Sequence, residues 1–373
     1  MDLLPVHVSR CLISSRYLTT GLTIVCEVWK TLFLTTWGRF ERELETIITD
    51  LHRHEDLIDK EVNAHNIIEA SAMRESLRAW REEKLELLAK EQKQQTARQM
   101  QGVITWLRLD DSDQITLFDF LDKVGESHPG TVDWVTKKPQ VASWLRPTPD
   151  HPFLWLQGGP GTGKSVIVAR LVTFLNASKS SFVIRHFCSY THDSSMQYDQ
   201  IIKSLLLQSA QGNADLVAHI HEEYVGSRQA TLPVLEKLLE MSVQLLSSDD
   251  PRVLHILLDG LDECPGDKQR RLVRLMERLA STGGKCKVLI SSRDTPPLRE
   301  RLKGKSVLSL AEEKDCLRDA IARYALVRLH GMASRLHELG ISDDRMQSIA
   351  SLVGERADGT VTEWDPPLCQ DLD

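Results

Sequence analysis

Gly158-Gly159-Pro160-Gly161-Thr162-Gly163-Lys164-Ser165 follows the pattern G-x-x-x-x-G-K-[ST]. The apolar run Phe153 to Gln157 precedes it directly, and a helical pattern over 165–176 follows. Glycines let the backbone approach an anion closely, so that successive N–H groups cradle phosphate oxygens. A loop opening onto a helix N-terminus adds the favourable end of the helix dipole. Lys164 supplies a full positive charge for the β and γ phosphates, and the Ser165 hydroxyl is a ligand for Mg²⁺. A chance match anywhere in the chain is on the order of 1%. Strand, glycine loop and helix in this order predict an α/β core with a phosphate site.

A second run completes that site. Val253 to Asp259 reads as a buried strand ending in a carboxylate, followed by Gly260-Leu261-Asp262-Glu263. In open α/β sheets, ligands bind at the carboxyl ends of the strands. Asp259 is therefore expected to hold Mg²⁺, and Asp262 or Glu263 to orient or deprotonate the attacking water. The choice between those two acids stays open. Lys287 to Ser291 is a further strand, running into Ser292-Arg293-Asp294. If it inserts between the acidic strand and the phosphate-loop strand, Arg293 reaches the γ-phosphate and senses it. The alternative is a surface arginine paired with Asp294.

The rest of the chain supports this architecture. Ser181 to Cys188 and Val307 to Leu310 are further strand candidates, and helices are expected near 197–211, 213–225, 231–247, 267–281, 312–330 and 342–354. Continuous apolar strands alternating with helices predict a parallel sheet covered on both faces. Between Gly38 and Gly102 there is neither Gly nor Pro, and Glu, Lys, Arg, Gln, Leu and Ala dominate. Apolar residues there recur at helical spacings of three, four or seven, at Leu44, Ile47 and Leu51, then Met73, Leu77, Trp80 and Leu87. Two or three helices, or one broken near Asn63–Asn66, are expected, forming a signalling bundle or a packed hairpin. The expected organisation is a lead over 1–38, a helical segment over 39–124, the nucleotide-binding domain over 128–310 and a partial helical region over 311–373.

Composition limits the functional class. The chain has 373 residues with 46 basic and 53 acidic side chains, a formal net charge of −7, which argues against a dedicated nucleic-acid binder. Its seven cysteines lack Cys-x-x-Cys spacing, which fits free thiols in a reducing compartment. The uncharged run Tyr17 to Cys26 is too short for a membrane span. A cytoplasmic location is expected, with residues 1–38 an N-terminal helix or poorly ordered lead rather than a targeting segment.

These motifs carry a family resemblance. Asp259-Gly-Leu-Asp-Glu263 resembles the NACHT form of the acidic motif. Gly130-Thr-Val-Asp-Trp134, Trp144-Leu145, Leu154 through Ser165, Phe187-Cys-Ser-Tyr190 and Ser291-Ser-Arg293 resemble the nephrocystin-3-like NACHT modules of filamentous fungi. The resemblance spans roughly 128–310. It implies a parallel-sheet P-loop NTPase of the ASCE/STAND type: a signalling ATPase holding ADP at rest, exchanging it for ATP, and self-associating. Slow Mg²⁺-dependent ATP hydrolysis, with a link to non-self recognition or regulated cell death, is the implied function. The alternative is a nucleotide-bound adaptor, or a truncated fragment, that recruits protein partners through its N-terminal helices without useful turnover. After Arg356-Ala-Asp-Gly359 the sequence turns polar and Pro-broken where such modules continue into a winged helix, so the chain reads as truncated after the NTPase core.

Three further groups are legible. His52 and His54 are two apart and cannot share a helix face, and no metal site is expected of them with His65. Trp134 and Trp144 read as core residues or as a border to the base pocket. Arg270, Arg271, Arg274 and Arg278 form a basic series on one helix, either solvated or facing an acidic partner.

Overall fold

The computed structural model describes residues 43–54, 67–148, 151–248, 251–282, 284–338, 340–357 and 359. The lead over 1–38, the break near Asn63–Asn66, His65 and the polar tail lie outside them. The chain divides into two compact units between Gln92 and Lys93.

In the first unit, residues 43–54 form α1 and the leading part of α2 (Ile67–Leu107) is a long helix. Strong helix formers explain the helix. Its apolar positions Met73, Trp80 and Leu87 remain about half exposed, so no core forms here among the described residues.

The second unit is a five-stranded parallel sheet in the order β2-β3-β4-β1-β5. Its strands are β1 (Phe153–Gln157), β2 (Ser181–Phe187), β3 (Val253–Asp259), β4 (Cys286–Ser292) and β5 (Ser306–Ser309). All seven residues of β3 and of β4 are buried. That is why these strands read as unbroken apolar runs rather than as alternating ones. β4 lies between β3 and β1, with Ile256 opposite Val288 and Trp155 opposite Ile290.

Side chains alternate between the two faces of the sheet. Phe153, Trp155, Leu254, Ile256, Leu258, Val288 and Ile290 join one core. That core is closed by α6 (Tyr198–Gln211), α7 (Ala214–Glu223), α8 (Leu232–Ser248) and α9 (Gly266–Thr282). Leu154, Leu156, Leu257, Leu289 and Leu308 join the other, under α3 (Ser112–Ser127), α4 (Pro139–Leu145) and α5 (Lys164–Asn176). Each fully buried leucine contributes about 1.5–3 kcal/mol by leaving water. Val103 and Leu107, from the end of α2, and Leu121 of α3 are buried in these cores. These helices are therefore part of the second unit, which the sequence of 93–124 did not reveal. Trp144 is fully buried and donates its indole N–H to the Val288 carbonyl at 3.1 Å, so it is a core residue. Trp134 donates to Thr131 O at 3.0 Å and packs at the margin of the same core.

β2 is an edge strand, and two glutamines close its outer side. Gln208 of α6 accepts from the Arg185 N–H at 2.9 Å and donates to its carbonyl at 2.7 Å. Gln114 of α3 does the same at Phe187, at 2.8 and 2.9 Å. After β4 come α10 (Pro296–Arg301) and β5. Then α11 (Lys314–Gly331) and α13 (Asp343–Arg356) pack together around Ile321, Val353 and Ala357, with the short α12 (Ala333–Glu338) between them. No helix among the described residues is long and apolar enough to cross a membrane.

Candidate nucleotide site

The carboxyl ends of β1, β3 and β4 converge on one edge of the sheet, because the three strands are parallel neighbours. The loop from Gly158 to Gly163 leaves β1 and enters α5 at Lys164. Gly158 donates its N–H to the Ser292 carbonyl of β4 at 3.2 Å, which ties the start of the loop to the sheet. Gly163 has φ +78°, a left-handed conformation that glycine adopts without steric cost. Gly159, Pro160, Gly161 and Thr162 complete the turn, and the Thr162 hydroxyl donates to Gly159 O at 2.9 Å. Lys164 Nζ bonds the same carbonyl at 2.7 Å, so the lysine lies across its own loop. Burial lowers the Lys164 pKa, and the nearby Asp262 and Asp259 carboxylates partly offset this.

Asp259 is the last residue of β3 and is 3% exposed. Burial pushes its pKa up, with Ser165, Ser291 and Lys164 close enough to temper the rise. Its Oδ1 has no hydrogen-bond partner among the described residues. A buried carboxylate oxygen without a partner is costly unless a cation or donor meets it. Beside the Ser165 hydroxyl it gives two hard oxygen ligands, the donor set that Mg²⁺ uses. The residues present thus fit the ion that the phosphate loop implies.

Gly260 turns the chain out of β3 with φ +66°. A Cβ there would stand 2.6 Å from the Cys188 carbonyl oxygen. That close approach lets Cys188 donate its N–H to Asp259 O at 3.0 Å, joining the ends of β2 and β3. The Cys188 and Cys264 sulfurs lie 3.5 Å apart beneath the turn. All four cysteines among the described residues are free thiols.

The two acids after Gly260 have different surroundings. Asp262 has a side chain only 4% exposed and is bound to Arg293 through both oxygens. Glu263 accepts one bond, from the Tyr190 N–H at 2.6 Å. Burial raises the Glu263 pKa, and Asp262 and Asp259 add to the rise. Arg293 sits at the end of β4, as its insertion between β3 and β1 requires, but its partner is Asp262. Asp294 instead pairs with Arg299 at 2.6 Å. Tyr190 and Gln114 also shape this edge; sequence reasoning named Tyr190 only within a matching stretch and Gln114 not at all, because each acts through a contact distant in the chain.

His52 and His54, on α1, bond backbone carbonyls one turn back, at 2.8 and 2.7 Å.

Residues 130–293 match the family model described as nephrocystin 3, N-terminal. A stretch of 247 residues is 25% identical to the vegetative incompatibility protein HET-E-1 of Podospora anserina. It makes up 64% of this chain and 18% of that protein, so the chain spans less than a fifth of that relative's length. Together these likenesses support a NACHT-like module within this stretch. Among solved structures, Cdc6p from Pyrobaculum aerophilum is similar at 19% identity and a TM-score of 0.37, over 67% of this chain and 62% of that one. PCH-2 of C. elegans is similar at 13% identity and a TM-score of 0.33, over 65% of this chain and 64% of that one.

Proposed function

We propose that the NACHT-like module binds ATP and ADP and hydrolyses ATP slowly, as a nucleotide-dependent signalling switch. The observation that carries this reading is the buried, unpartnered Oδ1 of Asp259 beside Ser165 and Lys164. Asp259 and Ser165 would hold Mg²⁺, which supplies charge neutralisation at the phosphates. The loop N–H groups and the α5 N-terminus receive the phosphate oxygens. Lys164 leaves the Gly159 carbonyl to meet the β and γ phosphates.

Glu263 is the better general base. Its carboxylate has one fixed hydrogen bond and is partly exposed, and a raised pKa makes it the stronger proton acceptor. Asp262 is instead bound through both oxygens, so its role is to hold Arg293 in place. Release of Arg293 from Asp262 towards the γ-phosphate would make the pair a sensor of nucleotide state. HET-E-1 is named as a vegetative incompatibility protein, which supports a place in non-self recognition for this chain.

The test is to release co-purifying nucleotide by denaturation, identify it by ion-exchange chromatography, and titrate emptied protein with labelled ATP. Bound ADP or ATP is expected. Lys164→Ala is expected to weaken ATP affinity by about 10- to 100-fold, the loss of one bond to a charged group. Unchanged affinity in that variant would overturn the assignment.

A further inference from the structure

Arg270, Arg271, Arg274 and Arg278 of α9 all line one groove of about 340 Å³, together with Tyr198 and Glu236. None of these residues belongs to the nucleotide loop or the acidic turn. Glu236 of α8 organises the groove. It takes Arg271 Nη2 at 2.7 Å and Arg278 Nη2 at 2.9 Å, and the Tyr198 hydroxyl donates to it at 2.7 Å. The Arg271 guanidinium lies over the Tyr198 ring, 4.1 Å from its centroid. Glu240 fixes Arg278 further, accepting from Nε at 3.0 Å. Two guanidiniums are thus held in place before any ligand arrives.

Arg270 and Arg274 differ. Both are exposed, and neither has an ion-pair or hydrogen-bond partner among the described residues. They stand one helical turn apart, and Arg274 stands one turn from Arg278, so three like charges run in a row along the helix. Asp267 also lines the groove, but no ion pair joins it to either arginine.

We propose that this groove is a binding site for a small, multiply phosphorylated anion, distinct from the nucleotide site. Planar guanidiniums match phosphate oxygens with paired N–H bonds, and orientation in advance removes much of the ordering cost. The volume is that of a small-molecule site, whereas a protein segment needs a broader surface. The neutralised pair, Arg271 and Arg278, forms the fixed wall. Arg270 and Arg274 carry the positive charge that the ligand would neutralise.

The experiment uses the full chain saturated with Mg²⁺ and ADP, titrated calorimetrically with inositol hexakisphosphate at about 0.15 M salt. One saturable site is expected. Arg270→Gln/Arg274→Gln should weaken it by at least about tenfold, while Lys303→Gln/Arg335→Gln leaves it unchanged. Thermal melts of each variant separate loss of the site from loss of the fold. The proposal is overturned if a well-folded Arg270→Gln/Arg274→Gln variant binds within about twofold of the parent. It is also overturned if saturating ADP excludes the probe, or if a glutamate-rich peptide of equal charge binds as tightly.

Discussion

Asp262 accepts two bonds from Arg293, one from the backbone N–H at 2.9 Å and one from Nε at 2.5 Å. This single residue pair ties the acidic turn after β3 to the end of β4. It also gives the two acids different surroundings, since Glu263 is bonded by the Tyr190 N–H instead. Glu263→Gln is expected to lower Mg²⁺-dependent phosphate release by about 10²- to 10⁴-fold while nucleotide affinity persists. Asp262→Asn should instead cost about 1–3 kcal/mol of stability, because Arg293 loses its ionic partner. Phosphate-release assays beside urea titrations distinguish the two, and a reversed pattern would give Asp262 the catalytic role.

Asp259 illustrates a site held ready at the expense of stability. Its folded-state pKa is raised, so the protonated group's stabilising contribution is fully present below its ordinary range and is lost as pH rises through the folded value. At neutral pH the buried charge therefore destabilises the metal-free fold. Asp259→Asn is expected to raise Tm in chelator and to abolish the extra stabilisation given by Mg²⁺ with nucleotide. A lower Tm in chelator would contradict this account of the carboxylate.

Gly260 has no tolerable substitute. Alanine at φ +66° costs about 1–2 kcal/mol from conformation alone. The added methyl would also collide with a backbone oxygen 2.6 Å away, which cannot swing aside as a side chain does. Gly260→Ala should lower the urea midpoint and loosen the Cys188–Asp259 link; an unchanged midpoint would show that the turn relaxes freely.

Acid should unfold this protein early. Burial lowers His186, His219 and His255 to about 4. Between pH 6.5 and 4 the unfolded chain binds protons there that the folded chain does not, so stability falls as pH falls. Each histidine contributes a slope of up to about 1.4 kcal/mol per pH unit, opposed by the raised Asp259 and Glu263. Urea melts from pH 7.5 to 5 should show a steadily falling midpoint. His255→Gln should flatten the slope, and an equally steep slope in that variant would remove His255 from this explanation.

The sheet and its phosphate loop were legible because their signals are local. Phe153 to Gln157 and Val253 to Asp259 are unbroken apolar runs bounded by turn residues, and the glycine loop has fixed spacing. The insertion of β4 between β3 and β1, which the sequence left as a condition for Arg293 to reach the site, is found in the sheet. What stayed hidden depends on residues far apart in the chain. Arg293 meets Asp262 across 31 positions, and Gln114 meets Phe187 across 73. Each looks like an ordinary polar residue until the fold brings the pair together. Likewise α3 has five charged residues in sixteen, yet Leu121 is buried in the core.

The paired amides on β2 bear on how copies of this module can meet. Gln114 and Gln208 occupy the donors and acceptors at Phe187 and Arg185 that a further strand would need. The opposite margin of the sheet, β5, is only four residues long. Both rims are therefore poor templates for strand addition, the route by which exposed edges grow into ordered aggregates. Contacts between copies of this unit are therefore disfavoured at its sheet rims and left to its helices and loops.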